Sequence, residues 1–153
     1  MLLFYVGENT YAIDSGSILR VVPKVILKRM PHAMKYIAGL LNLGGVSVPV
    51  VDFCQLIEHR EARHSLHTRI ILIKDPSPHS DRMVGILGEK VEEIIDLNSE
   101  QLSIIDFPLP SFPYLDKIYS DGKRVIQYVN VEEFFSFLAT EIFKAPEKEH
   151  EGF

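Results

Sequence analysis

An internal repeat is the feature that most limits how this chain can fold. A shift of 78 residues lays residues 36–57 (YIAGLLNLGGVSVPVVDFCQLI) on residues 114–135 (YLDKIYSDGKRVIQYVNVEEFF). The shift superimposes four pairs of residues: Tyr36 on Tyr114, Gly44 on Gly122, Val51 on Val129, and Asp52 on Asn130. Asp52 and Asn130 are each followed three residues later by Gln or Glu, the pattern of a residue that caps a helix. Both copies therefore predict a strand, a cap and a helix.

A second match extends the repeat toward the start of the chain. A shift of 73 residues lays residues 11–22 (YAIDSGSILRVV) on residues 84–95 (VGILGEKVEEII), and it aligns Arg20 with Glu93. Each half is then predicted to contain a hairpin, a strand, a linker, a turn, a strand and a short helix. Half of a 153-residue chain buries too little surface to be a stable domain by itself. We therefore expect a mainly β fold of two similar lobes packed on each other, with the last helix covering a seam.

Local patterns predict the individual elements of the first half. Residues 2–13 (LLFYVGENTYAI) predict a hairpin, and residues 18–22 (ILRVV) predict a strand that ends at Pro23. Residues 31–41 (PHAMKYIAGLL) predict a short helix, because a proline comes first and Met34, Ile37 and Leu41 follow at helical spacing.

The next segments predict a turn, a strand and the end of the domain. Residues 42–45 predict a turn, and residues 46–51 (VSVPVV) predict a strand that Pro49 places at a sheet edge. Residues 107–113 (FPLPSFP) predict an extended loop because three of the seven are proline. The last helix is predicted from five apolar residues on one face: Val131, Phe134, Phe135, Leu138 and Ile142. We expect one domain over residues 1–143 and a disordered tail over residues 144–153.

Composition excludes several classes of function. The 16 basic and 21 acidic side chains give a formal net charge of −5, which disfavours nucleic-acid binding, and residues 24–29 (KVILKR) are the densest basic cluster. A single cysteine excludes an internal disulfide. The start of the chain lacks the basic flank and cleavage pattern of a signal peptide, and no apolar run is long enough to cross a membrane. We therefore expect a cytoplasmic protein without direct membrane insertion.

Three patterns suggest chemistry, and each has a simpler structural interpretation. The glycines of residues 39–45 precede a strand and lack the lysine of a phosphate-binding loop, so they are expected to form a turn. Cys54 is a nucleophile only if a histidine approaches it, and at an apolar position it is more typical of a core residue. His59, His64 and His67 lack the further ligands that zinc needs. We predict no catalytic residue, no metal and no cofactor.

The repeated blocks resemble the CheW family of chemosensory adaptor domains. Residues 36–53 (YIAGLLNLGGVSVPVVDF) are similar to that family's G-x-x-N-L-R-G-x-x-I-P-V-V-D-L signature, and three further blocks follow in family order. The resemblance implies two five-stranded SH3-like barrels. It also implies a non-enzymatic adaptor that bridges chemoreceptor cytoplasmic tips and the regulatory domain of a CheA-type histidine kinase. In such proteins the receptor helix is held in the groove between the lobes.

Three positions depart from the family pattern. Gly44 stands where the family usually has arginine, Arg20 where it often has glutamate, and Lys117 where a second-lobe glycine is common. The two changes at Arg20 and Gly44 alter the local charge pattern, so a divergent module that acts outside chemotaxis is the alternative function. The predicted partner interface comprises six residues: Arg20, Val22, Asn42, Gly44, Gly45 and Glu93.

Overall fold

The computed structural model describes residues 1–23, 25–94, 103–106, 109–120 and 122–141. The elements in chain order are β1 (Leu2–Val6), β2 (Asn9–Ile13), β3 (Ile18–Pro23), β4 (Ile37–Leu43), β5 (Val46–Asp52), α1 (Phe53–Glu58), β6 (Arg69–Lys74), β7 (Met83–Gly88), β8 (Lys90–Ile94), β9 (Ser103–Asp106), β10 (Lys117–Ser120), β11 (Val125–Tyr128) and α2 (Val131–Glu141). A single 3₁₀ turn, Ser15–Ser17, separates β2 from β3. The predicted tail and Ile142 lie outside the described residues, as do residues 107 and 108 of the proline-rich loop.

The strands form two sheets, one for each lobe. One sheet has five strands in the order β3-β6-β7-β5-β4, and the other has six in the order β8-β1-β2-β11-β10-β9. The predicted mainly β fold of two lobes is confirmed. The predicted count of five strands holds for the first sheet only, because β9 pairs with β10 and adds a sixth strand to the second.

The repeat predicted from the sequence appears as matching hydrogen bonds in the two lobes. The amide of Asp52 donates to the carbonyl of Tyr36 over 2.7 Å, and the amide of Asn130 donates to the carbonyl of Tyr114 over 2.8 Å. Each side chain also caps a helix, because Asp52 Oδ1 accepts from the Gln55 amide and Asn130 Oδ1 accepts from the Glu133 amide, both over 3.1 Å. Corresponding residues of the repeat therefore have the same structural role, that of a helix cap.

The two sequence halves are interlocked rather than stacked one after the other. The first hairpin, β1–β2, does not join β3, β4 and β5. It pairs with the second half, through β8 on one side and through a parallel contact with β11 on the other. The β6–β7 hairpin of the second half in turn completes the sheet of the first half, where β7 runs parallel to β5. Each lobe thus contains a hairpin from one half and the remaining strands from the other.

An aromatic cluster joins the lobes. Phe53, the first residue of α1, is fully buried, and its ring centroid lies 5.3 Å from that of Phe4 and 5.0 Å from that of Tyr11. The rings of Tyr114 and Phe134 lie 6.4 and 6.1 Å away in edge-to-face arrangements. One continuous core therefore extends across both lobes. Four of the five residues predicted for the buried face of α2 lie in it: Val131, Phe134, Phe135 and Leu138.

The helix predicted over residues 31–41 is wrong. Residues 37–43 form β4, which pairs antiparallel with β5 from Ile37↔Val51 to Leu43↔Val46. A helix of about ten residues is only marginally stable by itself. The helical spacing of Met34, Ile37 and Leu41 is therefore outweighed by the hydrogen bonds and packing that β4 gains by pairing with β5. The following turn is the predicted one.

The edge position predicted from Pro49 is also wrong, since β5 lies between β4 and β7. The parallel pairing with β7 covers only Val50, Val51 and Asp52. Pro49 therefore lies just outside the segment that β7 pairs with, and a missing amide donor is tolerated there.

Candidate partner-binding surface

The β4–β5 turn contains three of the six predicted interface residues. Gly44 and Gly45 have φ values of 57° and 91°, which two-residue hairpin turns of this kind require and which glycine adopts without strain. Asn42 Oδ1 accepts a hydrogen bond from the Gly45 amide over 2.8 Å. Apart from the adjacent residues of the chain, no described atom lies within 4 Å of the position that a Cβ would occupy at Gly44 or Gly45. The turn therefore projects into open space.

Strand β3 contains two further predicted residues. It lies at the end of the five-stranded sheet and pairs with β6, with Arg20 opposite Leu72. Arg20 is exposed, and so are its neighbours Leu19 and Val21, whereas Val22 is half-buried and packs against the core. The strand thus presents a cation between two exposed apolar side chains.

Glu93 lies on β8, the strand that corresponds to β3 in the repeat and that ends the six-stranded sheet. The β8–β1 pairing matches Leu2 with Ile94 and Leu3 with Glu92, so Glu93 lies at an irregularity of this pairing. Its side chain lies outside the described residues. The predicted residues therefore occupy three places: the β4–β5 turn, strand β3, and strand β8. Asn42, Gly44 and Gly45 lie together in the β4–β5 hairpin. Arg20 lies on β3, which is at the opposite end of the strand order from β4.

The structure places Cys54 in the core, His59 at the end of α1, and His64 and His67 at exposed positions after α1. Cys54 is fully buried, and this burial raises the pKa of its thiol to about 11, so the reactive thiolate is scarce at neutral pH. His59 ends α1 in the left-handed conformation, and its amide donates to the Gln55 carbonyl over 3.1 Å. Within the described ranges no three His, Cys, Asp or Glu side chains come together in a way that could hold a metal. Neither described helix has the length and apolar character of a membrane span.

Sequence reasoning missed the exposed apolar segment between β3 and β4. Ile26 is 100% exposed, and Met30 and Met34 are about half exposed, at 43% and 46%. The mistaken helix over residues 31–41 concealed this segment, because it assigned Met34 to a packed helical face. Gly39 was the available signal, since a glycine inside an apolar run often marks a place where another backbone approaches closely.

Exposed sheet ends, an open turn and an apolar loop are features of a domain that binds other proteins. Comparison with known proteins agrees with this class. The model of the CheW-like domain matches residues 1–138, and the chain therefore belongs to the CheW-like family.

Two relatives are chemotaxis proteins. This chain is 26% identical to the chemotaxis protein CheW of Klebsiella aerogenes over 141 residues, which cover 88% of this chain and 80% of that one. It is 24% identical to the chemotaxis protein CheW of Helicobacter pylori over 133 residues, covering 85% and 77%.

A solved structure has the same fold. The scaffolding protein TtCheW from Thermoanaerobacter tengcongensis superimposes with a TM-score of 0.75 and 21% identity, over 92% of this chain and 94% of that one. The family match and the relatives place the protein among the chemotaxis adaptors and scaffolds. The structural likeness shows the fold of two SH3-like lobes.

Proposed function

We propose that this protein is a non-enzymatic cytoplasmic adaptor that couples the cytoplasmic tips of chemoreceptors to the regulatory domain of a CheA-type histidine kinase. The observation that carries the proposal is the match of the CheW-like domain to residues 1–138. The adaptor works as a single domain over residues 1–143 and needs no cofactor, since its activity consists of affinity and geometry.

The end strands β3 and β8, one in each sheet, support simultaneous binding of two partners. Strands β3 and β8 correspond in the repeat, and each ends its sheet. Within the part of the chain that the structure describes, each therefore has one backbone edge without a strand partner. A partner that contacts such an edge also meets the side chains beside it, here Leu19 and Val21 on β3. A micromolar contact corresponds to about 8 kcal/mol, which an interface of roughly 1,000 to 1,600 Å² supplies.

The positions that depart from the family pattern support the alternative, a CheW-like interaction module that acts outside chemotaxis. Arg20 is exposed on β3, and the position of Gly44 faces open space in the β4–β5 turn. Both positions are accessible to a partner, so a change of charge at either one alters which surface is complementary.

The first experiment is a calorimetric titration of the full chain with the regulatory domain of the CheA-type kinase from the same organism. We expect saturable binding near micromolar. Co-sedimentation with a receptor signalling-tip fragment, in the presence and absence of that kinase domain, then tests whether one adaptor binds both. No heat at tens of micromolar and no co-sedimentation would disprove the array role.

The double variant Arg20→Glu with Gly44→Arg separates the two functions. If the native chain binds the kinase domain and the variant does not, Arg20 and Gly44 are themselves determinants of the partner. If only the variant binds, the native residues have abolished an array role and the alternative is correct. Lys74→Glu is the matched control, because Lys74 is an exposed cation at the end of β6 in the same sheet.

A further inference from the structure

A groove lies between the β3–β4 connection and the segment that follows α1. Its volume is about 770 Å³, and one wall contains Ile26, Met30 and Met34 together with Arg29 and Lys35. The remaining lining comes from other residues of the same connection, from β4, β5 and β7, and from residues 61 and 64. Every lining residue that the structure describes belongs to the lobe of the five-stranded sheet or to its connections. We call this feature the β3–β4 groove.

Backbone contacts fix the wall that contains Ile26, Met30 and Met34. The Lys28 amide donates to the Leu40 carbonyl over 3.0 Å, and the Leu40 amide donates back to the Lys28 carbonyl over 2.8 Å. Two turns follow, in which Ala33 donates to Met30 and Ile37 donates to Met34. The apolar side chains are therefore held outward by a formed backbone, and a partner does not have to bear the cost of ordering it.

The apolar side chains on this wall are of a type that suits a helical partner. Ile26 is fully exposed and Met30 and Met34 are about half exposed, although large apolar side chains are normally buried in a soluble domain. Methionine is unbranched and flexible, so it adapts to the ridges of an incoming helix. Exposed apolar side chains concentrated in one concave place mark a protein-binding surface.

The charge of this region is opposite to that of the chain as a whole. Residues 15–51 contain five Lys or Arg and no Asp or Glu, whereas the whole chain has a formal net charge of −5. Arg29 and Lys35 line the groove beside the apolar side chains. Asp52 also lines it, but its two carboxylate oxygens accept hydrogen bonds from the amides of Gln55 and Ala62. Glu61 and His64 also line the groove, from the segment after α1.

We infer that the β3–β4 groove docks an amphipathic helix of a partner protein that has an acidic flank. The apolar face of the helix packs on Ile26, Met30 and Met34, and its carboxylates face Arg29 and Lys35. The concave shape favours a helix over a planar lipid surface. This contact is proposed in addition to the adaptor role, and the described lining of the groove comes from one lobe.

The test is a fluorescence anisotropy titration of the full chain with a labelled model peptide of about 18 residues, long enough for five helical turns. The peptide has one leucine stripe flanked by glutamates, and its matched control has lysine at every glutamate. We expect saturable binding of the acidic peptide that weakens as salt is raised, and at least about tenfold weaker binding of the basic peptide. Equal binding of both peptides, or no saturation, overturns the inference.

Variants locate the binding. Ile26→Ser with Met30→Ser is expected to weaken the acidic peptide about tenfold or more, because apolar anchors dominate such contacts. Arg29→Glu is expected to weaken it and to reduce its salt dependence. Val125→Ser on β11 is the control, since Val125 is 59% exposed on the other lobe. An equal loss in the control, with all variants folded by circular dichroism, overturns the inference.

Two further measurements test whether the chain's own tail or a membrane surface, rather than a partner helix, occupies the β3–β4 groove. A chain ended after Phe143 lacks the three glutamates of residues 144–153 and is expected to bind the peptide unchanged. An approximately tenfold gain would show that the chain's own tail occupies the groove and would overturn the inference. Vesicles of phosphatidylserine are expected not to sediment the protein in an Ile26-dependent way, and such sedimentation would assign the surface to membranes instead.

Discussion

The carboxylate of Glu89 accepts a hydrogen bond from the backbone amide of Gly7, so the crossing point between the lobes is tied to the β1–β2 turn. Glu89 lies between β7 of one sheet and β8 of the other. The same carboxylate accepts from the Arg63 amide and, over 3.4 Å, from the Arg60 guanidinium. Burial raises the pKa of Glu89, but the hydrogen bonds from Arg63, Gly7 and Arg60 outweigh it, and the pKa lies below its ordinary value.

The first prediction concerns this link between the lobes. Glu89→Gln should lower the free energy of unfolding by about 1 to 3 kcal/mol at neutral pH, because an amide nitrogen cannot accept from the donors that face it. Urea unfolding followed by fluorescence or circular dichroism measures the change. Glu92→Gln is the control, since the Glu92 side chain is 42% exposed and its ion pair with Lys90 spans 3.9 Å; the expected loss is below about 1 kcal/mol.

The effect of Glu89→Gln should depend on pH. A carboxyl group whose pKa is lowered by folding stabilises the folded state above its ordinary pKa of 4.5, and this stabilisation is lost as the pH falls through the lower folded value. The difference in stability between native chain and variant should therefore be constant near pH 7 and shrink below about pH 4.5. A difference that stays constant down to pH 3 would contradict the assignment.

The second prediction concerns the core shared by the lobes. Phe53→Ala should lower the free energy of unfolding by about 3 to 5 kcal/mol, because it opens a cavity among Phe4, Tyr11, Tyr114 and Phe134. Phe53→Leu provides a milder variant for which about 1 to 2 kcal/mol is expected. Phe137→Ala should cost less than Phe53→Ala, since Phe137 is only partly buried. Equal losses for Phe53→Ala and Phe137→Ala would disagree with a core centred on Phe53.

The third prediction compares the two equivalent helix caps. Asp52→Ala should cost about 2 to 3 kcal/mol, because it removes the cap of α1 and also leaves the buried Ala62 amide, 3.0 Å from Oδ2, without its acceptor. Asn130→Ala should cost less, about 1 to 2 kcal/mol, because it removes the cap of α2 and one part-buried hydrogen bond, from Nδ2 to Asp116 Oδ2 over 3.2 Å. Thermal or urea unfolding of the two variants gives the comparison. A larger loss at Asn130 than at Asp52 would be inconsistent with it.

The fourth prediction concerns the close approach that holds the β3–β4 connection. A Cβ at Gly39 would lie 2.7 Å from the Lys28 carbonyl oxygen and 2.8 Å from the Leu27 Cβ, so Gly39→Ala must displace this segment. We expect a loss of about 1 to 3 kcal/mol and faster tryptic cleavage after Lys28 and Arg29. Gly44→Ala is the matched control, because nothing lies within 4 Å and only its positive φ opposes the change. Unchanged cleavage in Gly39→Ala would show that Gly39 does not position the segment.

Much of the fold follows from local sequence patterns. The Asp52 and Asn130 caps, the β1–β2 hairpin, the glycine turn and the buried face of α2 were predicted because each depends on residues close together in the chain. The helix predicted over residues 31–41 failed because a long-range ladder with β5 competes with helical spacing there. The candidate surface was predicted only in parts. Arg20 and the β4–β5 turn are accessible as expected, but the exposed side chains of Ile26, Met30 and Met34 depend on that same ladder.

The sequence alone determined that this protein consists of two similar halves, each made of a hairpin, further strands and a capped helix. Only the tertiary structure decided which strands pair, and it exchanged the hairpins, so that β1–β2 joins β8–β11 while β6–β7 joins β3–β5. The physical reason is that a repeat gives both halves nearly the same edges and the same apolar faces. Local pattern cannot choose between partners that look alike. Burial of Phe53 among rings of the other lobe, and the ties of Glu89 across the crossing, depend on the complete arrangement.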